Sequence, residues 1–163
     1  MIKKTTLERR KERYLFVVLF IILIFLSNLG TPWIEESNMM PNYFIALIIS
    51  CILNKNSFLN LYKLLIIGLI VDLFVGQLLG QYGLIFINIY LAYFICHKIL
   101  IIKAAIQLLA LNIFLTVYSF LILWATSLSY GLVIPFNLLL IQFILTIIAS
   151  LIFTVLMKRF TKN

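Results

Sequence analysis

The stretch Gly68-Leu69-Ile70-Val71-Asp72-Leu73-Phe74-Val75-Gly76-Gln77-Leu78-Leu79-Gly80 places one carboxylate inside a run that is otherwise apolar, glycine or amide. Gly68, Asp72, Gly76 and Gly80 recur every four residues. At 3.6 residues per turn, such steps lie along one slowly drifting stripe of a helix. Three glycines on that stripe form a groove into which a neighbouring helix backbone can pack closely. Each glycine weakens a helix by about 1 kcal/mol relative to alanine, so their repetition points to a packing requirement. An ionised carboxylate near the centre of a bilayer costs about 2.5–3.5 kcal/mol on insertion scales, so Asp72 is expected to face protein or water. These four residues are the candidate helix-packing and partner interface.

Working outward, the same apolar character fills the chain. Hydrophobic residues make up 64% of the 163 positions and charged residues 11%, and the mean hydropathy is +1.17. A soluble domain carries about 45–50% apolar and about 25% charged residues, so lipid is the solvent that accommodates this excess. Apolar segments occupy residues 14–26, 39–53, 64–80, 82–96, 104–126 and 135–157. Crossing about 30 Å of hydrocarbon takes about 20 helical residues, which makes the second segment short. The expected fold is all-α, with six transmembrane helices.

Charge placement gives the orientation. With both ends in the cytoplasm, the inner side receives the basic cluster in residues 1–13, then Lys55 and Lys63, Lys98 and Lys103, and finally Lys158, Arg159 and Lys162. Together these groups contain all 13 lysines and arginines. The outer side receives residues 30–38 with Glu35 and Glu36, a tight turn at Gln81-Tyr82-Gly83, and the uncharged loop 127–134. This is the positive-inside pattern, and it divides the chain into a basic start (1–13), one membrane domain (14–157) and a basic tail (158–163). The net charge of +8 is therefore an orienting device, and no nucleic-acid partner is expected. The basic start followed by an apolar run imitates a signal peptide, but no small-x-small site follows it at Ser27-Asn28-Leu29-Gly30-Thr31, so an uncleaved first helix is expected.

Trp33, Trp124, Tyr14, Tyr62, Tyr43, Tyr82 and Tyr130 fall near the ends of the segments, where aromatic rings with a polar edge favour the headgroup zone. Asn88, Gln107, Asn112, Thr116, Gln142 and Thr146 supply polar groups within the segments, and each is a candidate to join Asp72 in a hydrogen-bonded interior. Cys51 and Cys96 are far apart in sequence and read as small buried hydrophobes. His97 is the only histidine, so it cannot supply a clustered ligand set. No phosphate loop, zincin motif, nucleophile elbow or paired-carboxylate arrangement is legible, and neither an enzyme nor a cofactor is expected.

Size, the basic N-terminus entering the first span, Met40-Pro41-Asn42 opening the second, and Gly68-Leu69-x-x-Asp72-x-x-x-Gly76-x-x-x-Gly80 together resemble the MreD family of bacterial rod-shape-determining membrane proteins. The resemblance implies a multi-pass protein of the bacterial cytoplasmic membrane, with no enzymatic activity, serving the cell-elongation and peptidoglycan-synthesis machinery as a scaffold. It implies work with MreC, a single-span partner, and a link between MreB filaments and the wall synthases RodA and a class B penicillin-binding protein. Self-association as a homodimer and contact of the basic edge with membrane lipid complete the expected partners. The family fold is similar to that of the S components of energy-coupling-factor transporters, so a vitamin-binding subunit is the alternative. Such a subunit would present alanines at four-residue spacing on its first helix, whereas residues 14–30 contain none.

Overall fold

The computed structural model describes residues 6–28, 41–54, 59–75, 78–99, 105–131 and 135–162. Among these residues the chain forms six helices and no strand: α1 Thr6–Asn28, α2 Tyr43–Leu53, α3 Leu61–Val75, α4 Gln81–Ile99, α5 Ala105–Ser129 and α6 Phe136–Lys162. Two windows, Ile106–Ser129 in α5 and Asn137–Phe160 in α6, are long and apolar enough to cross a membrane. At 24 residues each they reach about 36 Å, against about 30 Å of hydrocarbon.

The second segment is organised differently from a membrane span. Its helix has 11 residues, about 16 Å, and every residue from Phe44 to Leu53 is buried. Pro41 disfavours helix in the residue before it, and Asn42 then starts α2 by accepting the Ile45 N–H on its Oδ1 at 3.2 Å. The lone polar side chain on this helix, Ser50, returns its hydroxyl to the Leu47 carbonyl at 2.7 Å. An all-round apolar helix of this length belongs in the centre of a bundle. It is packed by α1, α4, α5 and α6.

A row of rings ties α1, α2 and α4 together: Phe16 on Phe20, Phe20 on Phe44, Phe44 on Tyr82 and Tyr82 on Phe86, with centroids 5.8–6.2 Å apart. Hydrogen bonds set the helix directions. The Asn42 N–H meets Thr146 Oγ1 at 2.9 Å and Asn54 Nδ2 meets the Thr154 carbonyl at 3.3 Å, so α2 and α6 run the same way. Gln81 Nε2 donates to Thr126 Oγ1 at 2.9 Å, placing the start of α4 beside the end of α5. Phe20 lies at the start of α2 while Phe16 and Glu12 are still buried, so the first half of α1 descends along the bundle toward the far end of α2. One end of the bundle thus holds Asn42, Asp72 and Tyr82. The opposite end gathers the exposed Arg10, Lys11, Arg13, Lys63, Lys98, Lys158 and Arg159.

Several expectations shift. The tight turn falls at Leu79 and Gly80, and Gln81-Tyr82-Gly83 form the first turn of α4. The third segment was read to Gly80, but its helix is described only to Val75. Tyr82, read as an interfacial ring, is 8% exposed. Trp124, Tyr14, Tyr62, Tyr43 and Tyr130 are exposed. Trp33, Glu35, Glu36, Met40, Lys55, Gly76 and Lys103 lie outside the described residues.

Candidate functional site

Asp72 stands in the last turn of α3 and is 4% exposed. Its Oδ2 accepts the Gly80 N–H and its Oδ1 accepts the Tyr82 N–H, both at 2.9 Å. A helix begins with four backbone N–H groups that lack intrahelical acceptors, and its N-terminus carries partial positive charge. The carboxylate of one helix therefore caps the next helix across the turn. Gly80 makes the geometry available: its φ of +90° lies in the region glycine enters without cost. Its carbonyl then accepts the Leu84 N–H at 2.9 Å, starting the α4 ladder.

Lower on the same two helices, Gly68 faces Gly83. A Cβ at Gly68 would overlap the Gly83 Cα and N and lie 2.8 Å from the Tyr82 carbonyl carbon. Backbone meets backbone here, so the α3 and α4 axes come as close as the main chains allow. Gly68 and Asp72 share one face of α3 and both point at α4. Gly80 sits beyond the helix, in the turn.

From Tyr82 the polar chain continues inward. Its Oη accepts Asn42 Nδ2 at 2.9 Å. The Asn42 N–H passes the connection to Thr146 Oγ1, which donates in turn to the Gln142 carbonyl at 2.6 Å. Asp72, Tyr82, Asn42 and Thr146 thereby link α3, α4, α2 and α6 through buried bonds, and Gln81 adds α5. Of the polar residues singled out earlier, Thr146 joins this network. Asn112 and Thr116 form a second one: Asn112 Oδ1 accepts Ser150 Oγ at 2.7 Å, bridging α5 and α6. Asn88 joins neither, and its Nδ2 donates to its own Leu84 carbonyl at 2.9 Å. Gln107 is exposed.

Chemically, the site is a lock. Both carboxylate oxygens are committed to amide N–H groups, and among the described residues no three His, Cys, Asp or Glu side chains come together as a metal site would require.

A family model for the rod shape-determining protein MreD matches residues 8–163. The chain belongs to the MreD family. No curated protein matches the chain, and no solved structure does. Membership carries a role in rod-shape determination and places the chain among membrane proteins. The two motifs on which the resemblance to MreD rested are separated by about thirty positions of sequence, yet Asn42 of the first and Asp72 of the second meet on one residue: Tyr82 gives its N–H to Asp72 and takes Asn42 on its hydroxyl.

That junction is testable at Tyr82. Tyr82→Phe keeps the ring against Phe44 and Phe86 but removes the acceptor of Asn42 Nδ2. Leaving a buried donor unmatched costs about 1 kcal/mol or somewhat more. The expected result is a fall in thermal midpoint of about 2–4 °C in detergent. A midpoint equal to that of the wild type would show that the hydroxyl carries no part of the lock.

Proposed function

We propose that this MreD-family chain is a non-enzymatic, six-span scaffold of the bacterial cell-elongation machinery, with both termini in the cytoplasm. The observation that carries the reading is the division of the bundle. Polar side chains at one end are consumed in locking helices to one another, while exposed basic residues gather at the other. A rigid bundle with an oriented basic rim suits positioning of partners in a membrane. The rim supports a cytoplasmic orientation by the positive-inside rule and can hold anionic headgroups at about 1 kcal/mol per well-placed Lys or Arg. In this reading α1, α3 and α4 cross together with α5 and α6, and the short α2 reaches across with its flanking non-helical residues. Irregular backbone is tolerated at membrane depth where protein buries it, and Asn42 is buried. The fold is then of the kind used by S components of energy-coupling-factor transporters, with the alanine-free first span separating the two functions.

The partners are an MreC-like single-span protein and, directly or through it, MreB, RodA and a class B penicillin-binding protein. Gly68, Asp72, Gly76 and Gly80 serve that assembly by holding the α3–α4 hairpin in the shape its partner reads. Pull-down of the tagged chain in mild detergent is expected to recover the MreC-like partner and no ATPase module. Gly76→Leu is expected to weaken that recovery several-fold while the chain stays in the membrane. Recovery of an ATPase module instead, or undiminished recovery of the partner by the variant, would contradict the scaffold reading or its interface respectively.

A further inference from the structure

Asn88 sits near the middle of α4, and it is the polar residue that the interior networks leave out. Its side chain is partly exposed on the outside of the bundle. Nδ2 turns back onto the Leu84 carbonyl of its own helix, and Oδ1 accepts no hydrogen bond from any described residue. The contrast with Asn42 and Asn112, whose Oδ1 atoms each accept a hydrogen bond, is one of placement: those amides face neighbouring helices of the bundle.

The residues around Asn88 form a pattern. Leu84, Leu91 and Ile95 are 46%, 42% and 56% exposed, and with Asn88 they step along α4 at intervals of four, three and four. That is the a/d spacing of helices that pack against one another along a seam. On the six-span reading, on which this inference rests, the seam faces acyl chains, where an amide oxygen finds no donor and its exposure is unfavourable.

We propose that this seam is the contact between two copies of the chain, with the amides of the two Asn88 residues bonded to each other. Identity supplies the match. All copies enter the membrane in one orientation, so their α4 helices run parallel and Asn88 lies at the same depth in each. A two-fold axis along the membrane normal then brings amide to amide, each offering an N–H and an Oδ1. A helix of another protein would need its own polar group at that depth, whereas a second copy has one by construction. Leu84, Leu91 and Ile95 exclude lipid above and below the pair, as the layers flanking a buried asparagine do in parallel two-stranded coils. Lys98 continues the spacing at the basic end, where two ammonium groups can splay into the headgroup layer.

The test uses the full chain in native membranes, with Cys51→Ala and Cys96→Ala to remove the background thiols. Single cysteines are placed at 84, 88, 91 and 95 on the seam and at the buried positions 85 and 89. Oxidation is expected to give a homodimer band at the seam positions and none at the buried ones. In the Leu91→Cys protein, adding Asn88→Leu is expected to lower dimer yield about threefold to tenfold, the range one or two interhelical hydrogen bonds in lipid imply, while Asn88→Gln retains most of it. Cross-links without the four-three-four pattern, or only to a different polypeptide, would overturn the proposal. A cysteine at 88 that is shielded from a membrane-impermeant maleimide yet forms no dimer overturns the dimer alone. One that reacts freely shows α4 outside the hydrocarbon, and the span reading falls with it.

Discussion

Asp72→Ala is expected to lower the thermal midpoint of the purified protein by about 10 °C, the largest effect of any single polar substitution in the bundle. Two hydrogen bonds to a carboxylate are lost together, each worth about 1.5–3 kcal/mol, and the Gly80 and Tyr82 amides are left buried without acceptors. A loss of about 3 kcal/mol or more follows, and each kcal/mol moves the midpoint of a protein this size by about 2–4 °C. Insertion shifts in the opposite direction. Removing a carboxylate from α3 makes that helix easier to insert, by up to about 2.5–3.5 kcal/mol. The variant is therefore expected to integrate at least as well as the wild type and yet to unfold or aggregate earlier on heating in detergent. Asp72→Asn should fall between, because it keeps one acceptor and turns an amide N–H toward a backbone N–H. A stable Asp72→Ala protein would mean the two bonds contribute nothing net, and the hairpin would need another explanation.

The contrast between α5 and Asp72 shows what a sequence of this kind carries on its face. A run of apolar residues is a local property, and so the segments read at 104–126 and 135–157 correspond to α5 and α6 within a few residues. That Asp72 must be sheltered also followed from local chemistry. Its partners did not, because they are backbone amides, which every residue except proline possesses and no side chain advertises. The same blindness applied to Tyr82. A tyrosine at a segment end has the composition of an interfacial ring, and only the approach of Asn42 from a different part of the chain turns its hydroxyl inward. Asn42 itself was more legible, since an asparagine directly after proline and before an apolar run is a helix-start signal. The regular spacing of Gly68, Asp72, Gly76 and Gly80 misled in one respect. Spacing cannot distinguish a glycine that admits a neighbour from a glycine that ends the helix, and the structure assigns Gly68 to the first task and Gly80 to the second.

Gly68 and Gly83 supply the second large effect, because the same substitution at two facing positions is expected to act with opposite sign. Alanine is a better helix former than glycine by about 1 kcal/mol, and both positions are helical. At Gly83 nothing opposes that gain. A Cβ there would lie 3.6 Å from the Leu65 carbonyl oxygen and 3.9 Å from the Leu69 nitrogen, ordinary contact distances. Gly83→Ala is expected to leave the midpoint unchanged or to raise it by a few degrees. At Gly68 the new methyl meets the Gly83 main chain, which has no rotamer to move into. The helices must part, and overpacking of a filled interior costs about 1–3 kcal/mol. Parting them also stretches the Asp72 bonds, which lie one turn along the same face. The net expectation for Gly68→Ala is a loss of about 2–4 kcal/mol after the helix-propensity gain is subtracted. Thermal unfolding of the two single variants in detergent reads the asymmetry directly, and equal shifts would refute the close approach. Coupling gives a stricter check. If separation of the helices is what weakens the cap, Gly68→Ala and Asp72→Ala share part of their damage, and the double variant should be more stable than the sum of the single losses allows.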